Sequence, residues 1–398
     1  MEKLKQASQR LPEAWTVPPR VLHLYGDFVT KNASSVSQIE SALRSLTYII
    51  PGRFRESELA SESLHSFIQL LSLYHDSLLA RAIARLPPIK RPQPTPHNRY
   101  TRFWTQRSPL YRRLALTLQM IQYTELLCEM AAKRRSDKAR WRVVVLLEAV
   151  KAVCRLLLLR LTHSRPLLSP PLPEREIDPS TLDSPSVDIP DEPLPTEEEE
   201  EDSPASPIPS DLPPSSPEDL GWSMPRTGLT LPSLPSSTAI SQYLLSKVLT
   251  ADDIKPAPSL LHRVTGAGQA AEVLHILRPV AYALAMQQLR GDKKSWRPWL
   301  LGVSVEYGAR QLAKRDFRDR VAGGLRGLTG LEREELGRRG RAMGWWALRG
   351  AFYENVTKAW LTATTTKLRN KPLVGLVGGV LEDYEFLWDQ YYFSTATL

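Results

Sequence analysis

The sequence contains few cysteines and no recognisable set of metal ligands. Cys128 and Cys154 are its only two cysteines in 398 residues, and both fall in helical patterns without the short paired spacing of a zinc site or a disulfide framework. None of the seven histidines has the i, i+4 spacing with an acidic partner that marks a metal site on a helix. We therefore expect buried thiols in a reducing compartment, structural histidines, and neither a metal nor a cofactor.

Motifs for catalysis are missing as well, since no nucleophile elbow or comparable pattern occurs. The glycine-rich stretch 266–271 has the spacing of a dinucleotide fingerprint, but no convincing strand precedes it, so it is predicted to be a loop that begins a helix. A second stretch, 323–330, lacks the Gly-Lys-Ser/Thr of a phosphate-binding loop and is predicted to be a hinge between helices. The sequence therefore predicts no enzymatic activity and no small-molecule substrate.

The chain also lacks a long apolar run without charges. Its first ten residues contain no apolar stretch of a secretory signal. The best candidate for a membrane span, Val143–Leu161, contains Glu148, Lys151, Arg155 and Arg160, whereas a span needs about 20 mostly apolar residues. The first three of these charges share one helical face, which is typical of a helix that lies in a membrane interface or packs in a bundle.

A second apolar segment, Val273–Leu289, is interrupted by Arg278 and Pro279. Proline in a helix removes a backbone hydrogen bond and kinks the helix, so this segment could be a kinked span, a buried core helix or a hairpin that dips into a membrane. The two segments together leave spanning and peripheral attachment open.

Negative charge is concentrated in one long segment. Residues 164–236 hold 18 of the 33 prolines and 16 acidic residues against three basic ones, so their formal charge is −13. Since the whole chain carries +9, the remaining residues carry +22. A segment of this composition cannot bury enough apolar surface to offset its ordering entropy, so we expect 164–236 to be a disordered insert. The basic remainder indicates an anionic partner, either a membrane or a nucleic acid.

Helical periodicity dominates on both sides of the insert. In the amino-terminal half, 1–163, either Ser35 with Gln38 or Ser37 with Glu40 is expected to form a capping box that opens the first of two long helices. The apolar face of the first helix is Val36, Ile39, Leu43, Leu46 and Ile50, and that of the second, over 57–86, is Leu64, Phe67, Leu71, Tyr74 and Leu78.

The carboxyl-terminal half, 237–398, has no alternating strand pattern that competes with its helical periods. Thr329 with Glu332 forms another candidate capping box there. The sequence predicts an all-α fold, a membrane-associated helical bundle whose two halves pack together and are interrupted by the disordered insert.

Two clusters combine cations with apolar or aromatic residues. Trp296 and Trp299 flank Arg297 at the start of an apolar helix, where they are either an interfacial anchor at the depth of lipid headgroups or two core tryptophans. The other cluster directly precedes the segment 143–161 and is predicted to target the chain to a membrane. This basic cluster consists of Lys133, Arg134, Arg135, Lys138, Arg140 and Arg142.

Short blocks along nearly the whole chain have the order and spacing of one known family. They are Tyr25–Asn32, Gln38–Glu40 with Arg44, Tyr48 and Gly52–Phe54, Arg140–Val144 with Leu156–Leu159, Ser295–Leu301, Leu331–Glu335 with Phe352 and Tyr353, and Tyr391–Phe393. In these blocks the chain resembles the peroxin-sixteen family of peroxisomal membrane biogenesis proteins, and the insert falls where that family is variable.

The resemblance implies a non-enzymatic protein of the peroxisomal membrane that also acts at the endoplasmic reticulum. Members of this family help to bring in other peroxisomal membrane proteins, in part by receiving the peroxin-three docking receptor. Some members are described as spanning the membrane and others as peripheral. The resemblance places membrane targeting on the basic cluster together with Val143–Leu161.

Charge alone would also permit a basic, all-helical protein that binds nucleic acid. The sequence contains no zinc finger, RNA-binding aromatic motif or basic zipper, and its cations flank leucine-rich helices and tryptophan pairs. We therefore expect a lipid membrane rather than a nucleic acid as the anionic partner.

Overall fold

The computed structural model of the chain describes residues 19–49, 58–85, 94–175, 251–289, 294–321, 323–369 and 384–396. No strand occurs in these ranges, which confirms the predicted all-α class. The long helices are α1 (Pro19–Lys31), α2 (Ala33–Ile49), α3 (Glu58–Arg85), α4 (Pro96–Arg107), α5 (Pro109–Lys133), α6 (Asp137–Leu161), α7 (Ala267–Gln288), α8 (Trp296–Arg320), α9 (Gly330–Ala342) and α10 (Lys358–Arg369). Short helical turns occupy Ala251–Ile254, Ala257–Leu260, Gly324–Arg326, Met343–Leu348, Gly350–Phe352, Tyr353–Thr357 and Phe393–Thr395.

One of the two predicted capping boxes is present. At the start of α9 the Thr329 hydroxyl accepts a hydrogen bond from the Glu332 backbone N–H at 3.2 Å, and the Glu332 carboxylate accepts one from the Thr329 backbone N–H at 3.3 Å. The box predicted for 35–40 is wrong, because α2 already begins at Ala33. Glu40 instead contacts His75 of α3 and is buried.

The first glycine-rich stretch begins helix α7 and the second connects α8 with α9, as predicted. Gly266, with a φ of +55°, directly precedes α7, and Gly323, with a φ of +83°, lies between α8 and α9. Residues without a Cβ adopt such positive φ values at little cost. The two cysteines are free thiols, and Cys154 is buried in α6, while Cys128 is partly buried in α5.

The helices pack as a series of neighbours. α3 contacts α5, α5 contacts α6, α6 contacts α7 and α7 contacts α8, while α1 and α2 pack against α3. Val144 near the start of α6 shares a core cluster with Tyr282 near the end of α7, and Leu159 shares another with Ile276, so α6 and α7 are antiparallel. All described residues except 251–254 belong to one compact unit. The division into 1–163, 164–236 and 237–398 stays a prediction.

The packed part of the chain extends beyond the expected boundary at 164. The Asn98 side chain donates a hydrogen bond to the Glu174 carbonyl at 2.8 Å and accepts one from the Glu174 backbone N–H at 2.7 Å. The Tyr111 hydroxyl donates to the Pro171 carbonyl at 3.1 Å, and Leu168 is buried in the core. Residues 164–175 are ordered because their leucines supply core contacts ahead of the acidic run. The rest of the predicted insert, 176–236, lies outside the described residues.

The apolar stripes predicted for α2 and α3 are only partly buried. Ile39, Leu43 and Leu46 of α2 and Leu64 and Phe67 of α3 are exposed, while Val36, Leu71, Tyr74 and Leu78 are partly buried and Ile50 lies outside the described residues. Ile39 and Phe67 are 59% and 60% exposed. Ser72 and Glu40 hydrogen bond between the two helices at 3.2 Å, and His75 also contacts Glu40, so polar contacts select the inward faces. The buried residues of α3 include Ser66, Ile68, Ser72, His75 and Leu79.

Candidate functional site on α6 and an adjoining cavity

Three central charges of α6 point into the protein, and a stripe of its apolar residues points away from it. Glu148, Lys151 and Arg155 are 1%, 0% and 4% exposed. Four apolar residues, spaced 4, 3 and 4 positions apart on the opposite face of the helix, are exposed instead. This apolar stripe consists of Leu146, Val150, Val153 and Leu157. The sequence predicts either a helix packed in a bundle or a helix that lies in a membrane interface. The inward face of α6 has the character of the first, and its outward face has the character of the second.

Within the described ranges, no helix combines the length and the apolar character that crossing a membrane requires.

Lys151 connects the buried charges of α6 to α5. Lys151 Nζ donates to the carboxylate of Glu125 at 2.7 Å and to that of Glu148 at 3.1 Å. Burial raises the pKa of Glu125 to about 7, against the opposing charge of Lys151, and burial lowers the pKa of Arg155. A buried charge costs several kcal/mol when its partner is missing, so this network fixes which face of α6 points inward.

Glu129 attaches the aromatic end of the chain to α5 and α6. Its buried carboxylate accepts hydrogen bonds from the backbone N–H groups of Tyr392 at 2.7 Å and Phe393 at 2.9 Å, and from Arg140 at 2.8 Å. The Lys151 ammonium lies 4.9 Å from the centroid of the Phe393 ring. The carboxyl-terminal segment is therefore part of the core beside α6.

A cavity of about 780 Å³ opens where the α5–α6 connection, the end of α7 and the carboxyl-terminal segment meet. This volume is within the range of binding sites for small molecules and cofactors. We call it the basic cavity. Its cationic side chains are Lys133, Lys138, Arg140, Arg142 and Arg349, its acidic ones are Asp137, Glu354 and Asp389, and its aromatic ones are Trp141, Tyr282, Tyr353, Trp388, Tyr391 and Tyr392.

The structure brings part of the basic cluster to this cavity. Arg140 is held by Glu129, and the Lys133 ammonium lies 4.4 Å from the centroid of the Tyr391 ring, so these two cations also stabilise the fold. The residues of the cluster that line the cavity are Lys133, Lys138, Arg140 and Arg142, and those that do not are Arg134 and Arg135. The last two are exposed, as are Lys138 and Arg142.

The two tryptophans at the start of α8 have different surroundings. Trp299 Nε1 donates to the backbone carbonyl of Trp346 at 2.9 Å, and its ring stacks on Phe352 with centroids 5.5 Å apart. Trp296 is 39% exposed and packs edge-on against Trp299, and Arg297 is exposed. Trp299 thus packs with the core, while the interfacial anchor stays a prediction for the exposed pair.

Sequence reasoning missed Arg349. Its guanidinium carbon lies 4.8 Å from the ring centroid of Tyr392 and 5.2 Å from that of Tyr282, and its Nε donates to the Thr395 hydroxyl at 3.0 Å. No local motif surrounds it in the sequence, and all three neighbours are more than 40 positions away. The aromatic tail was visible as a composition bias, but nothing in its pattern pairs it with an arginine.

Comparison with known proteins identifies relatives along almost the whole chain. The model of the family described as "Peroxisomal membrane protein (Pex16)" matches residues 23–390. Peroxisomal membrane protein PEX16 of Schizosaccharomyces pombe is 21% identical over 366 residues, which cover 89% of this chain and 93% of that protein. Peroxisome biogenesis protein 16 of Arabidopsis thaliana is 23% identical over 379 residues, which cover 89% and 94%. No solved structure matches the chain.

The family match runs from α1 into the carboxyl-terminal segment, so it includes α5, α6 and most of the lining of the basic cavity. The relatives match over nearly their full length rather than through one shared module. The resemblance seen in the separate sequence blocks is therefore confirmed, and the chain belongs to the Pex16 family of peroxisomal membrane proteins.

Proposed function

We propose that this protein attaches to the peroxisomal membrane through the apolar stripe of α6 and the exposed cations of the basic cluster, and that it recruits and helps to insert other peroxisomal membrane proteins there. Membership of the Pex16 family makes it a peroxisome biogenesis factor of that membrane rather than a member of a known enzyme family. The observation that supports the attachment surface is the outward stripe of α6 on a helix whose charges are buried.

The stripe has the dimensions and charge pattern of a helix that lies along a membrane surface. Exposed Arg142 and Arg160 are at its two ends, about 27 Å apart at 1.5 Å per residue. Burying a leucine or valine fully contributes about 1.5–3 kcal/mol, so even partial burial of the four stripe residues would contribute several kcal/mol. Each cation near an anionic surface contributes about 1 kcal/mol. Only the second contribution is screened by salt.

The recruitment step includes reception of the peroxin-three docking receptor and a role at the endoplasmic reticulum. The family resemblance supports both. A binding assay between the purified full chain and that receptor tests the first. Imaging of newly made protein tests the second, since passage through the endoplasmic reticulum predicts a signal there before the signal at peroxisomes.

The attachment surface is tested by replacing all four stripe residues, Leu146, Val150, Val153 and Leu157, with glutamine. The side chains are exposed, so the variant should keep its helicity and melting temperature but leave the membrane pellet after a high-salt wash. A matched control replaces exposed apolar residues of the same kind elsewhere, namely Leu24, Phe28, Ile39 and Leu43 of α1 and α2. Retention of the first variant and release of the second would place attachment on α1 and α2 and refute the assignment. Salt-labile recovery of the unmodified chain with ribosomes or chromatin would instead favour the nucleic-acid alternative.

A further inference from the structure

We propose that the basic cavity is a binding site for the phosphate group of an anionic glycerophospholipid, whose headgroup enters the cavity while its acyl chains lie on the apolar stripe of α6. The position of the acyl chains rests on the proposed function. The phosphate site rests only on the lining of the cavity.

Among the cations that line the basic cavity, Arg349 gives the strongest indication of an anionic ligand. It is 6% exposed, yet no carboxylate oxygen of the described residues lies within 4 Å of its guanidinium. The guanidinium instead donates to the neutral oxygens of Thr395 and Tyr392 and packs against aromatic rings. Buried arginines are ordinarily paired with an acid, because an uncompensated buried charge is costly. A phosphate oxygen in the cavity would supply the missing counter-charge through the charge-assisted contacts that arginine forms well.

The mouth of the cavity carries further cations without acidic partners. Lys138 and Arg142 are exposed, and neither forms an ion pair with a described residue. By contrast, the lining acids Glu354 and Asp389 both lie near Lys358, at 3.8 and 3.6 Å. The third lining acid, Asp137, supplies one negative charge against those of Lys138, Arg142 and Arg349, so the charge that remains available to a ligand is positive. A quaternary ammonium group, which an aromatic lining could otherwise hold, would be repelled by these cations.

The mouth is continuous with an apolar surface, which distinguishes a lipid from a soluble phosphate ester. Arg142 lines the cavity, and Leu146 follows one helical turn later on the same exposed face of α6. On the antiparallel neighbour α7, Gln288 lines the cavity, and Leu284 and Leu277, 4 and 11 positions earlier on the same helical face, are exposed. A molecule with a phosphate at one end and hydrocarbon at the other fits both features, while a soluble phosphate ester fits only the first.

The test is calorimetric titration of the full chain with soluble short-chain probes. We expect dihexanoyl phosphatidic acid to bind saturably at one site, and dihexanoyl phosphatidylcholine and glycerol 3-phosphate to bind at least tenfold more weakly. The first comparison measures the contribution of the net negative charge. The second measures the contribution of the acyl chains.

Two variants locate the site. Lys138→Gln with Arg142→Gln removes two exposed cations at the mouth and should weaken phosphatidic acid binding about thirtyfold, given about 1 kcal/mol expected per cation. The matched control is Arg112→Gln with Arg113→Gln, which removes the same charge from exposed positions of α5 that do not line the cavity and should leave binding unchanged. Arg349→Met should abolish binding. If that buried substitution lowers the melting temperature, the mouth variant alone carries the test.

Each other outcome overturns the proposal. Equal binding of phosphatidylcholine would mean that the acyl chains alone are recognised, and equal binding of glycerol 3-phosphate would remove the lipid from the assignment. Equal binding by the mouth variant and its control would place the site elsewhere. Failure of the proposed function is distinguishable, because the glutamine variant of the apolar stripe is measured by membrane recovery. A chain that still pellets with membranes but does not bind phosphatidic acid refutes the cavity site alone.

Discussion

Glu129→Gln should loosen the carboxyl-terminal segment from the rest of the fold. The carboxylate of Glu129 is surrounded by three donors, the backbone N–H groups of Tyr392 and Phe393 and the guanidinium of Arg140. The substitution keeps the size and shape of the side chain but replaces one oxygen with an NH₂ group. At least one of the three donors must then face another donor in a buried site.

The expected cost follows from these contacts. A hydrogen bond to a charged group contributes about 1.5–3 kcal/mol, and removing one charge of a buried pair costs about 3–5 kcal/mol. The amide oxygen of glutamine can still accept from some of the donors, so we expect a loss of about 3 kcal/mol in the free energy of unfolding. For a chain of this size that corresponds to a fall in Tm of roughly 5 °C.

The assay is thermal unfolding followed by circular dichroism, combined with limited proteolysis and mass analysis of the carboxyl-terminal fragments. Glu334→Gln in α9 is the matched control, because this side chain is exposed. The Glu129 variant should melt several degrees lower and be cut earlier near its carboxyl end. If the two variants have the same Tm and the same cleavage pattern, Glu129 does not hold the segment and the reasoning is refuted.

Three further predictions concern the packing of α8, the buried carboxyl of α5 and the boundary of the insert. A Cβ at Gly302 would collide with a tryptophan indole, whereas a Cβ at Gly308 would meet open space. In chemical denaturation, Gly302→Ala should therefore destabilise the fold by about 1–3 kcal/mol, and Gly308→Ala should stabilise it by about 0.5–1 kcal/mol. The pKa of Glu125 is raised from 4.5 to about 7, so its contribution to stability is largest below pH 4.5 and is lost as the pH rises to 7; the pH dependence of unfolding across that window should be smaller in Glu125→Gln. Replacing 178–236 with a Gly/Ser linker should leave Tm unchanged, because loop closure changes by only about 0.6 kcal/mol per doubling of length. A replacement that begins at Pro170 should instead lower Tm by removing core contacts.

The positions of the helices could be predicted from local sequence because the relevant signals are local. The second predicted helix, 57–86, differs from α3 by one residue at each end. The box of Thr329 and Glu332 begins α9 as expected, since both partners lie within one helical turn. The capping box expected at 35–40 is absent, because the partners of Glu40 lie on another helix and local spacing cannot reveal them.

The direction in which each helix faces could not be predicted, because pattern reading assumes that apolar residues point inward. In α3 the inward positions include Ser72 and His75, which contact Glu40 from a different helix. In α6 the inward Lys151 pairs with Glu125, which lies 26 positions earlier in the chain. A polar stripe and an apolar stripe look the same in the sequence whichever of them is buried. Only the pairing between helices decides which of the two stripes is buried.

The inward charges of α6 explain how a helix that is not apolar enough to span a membrane can still present an apolar surface in a member of a membrane protein family. Hydropathy averaged around a helix counts Glu148, Lys151 and Arg155 against membrane contact, although none of the three reaches the surface. Lys151 is paired with Glu125 of α5 and with Glu148, and Arg155 is buried beside them. Rotating the helix to bury the apolar stripe would separate these charges from their buried partners, which is costly. The residues that exclude α6 as a span are therefore the residues that hold its apolar stripe on the surface.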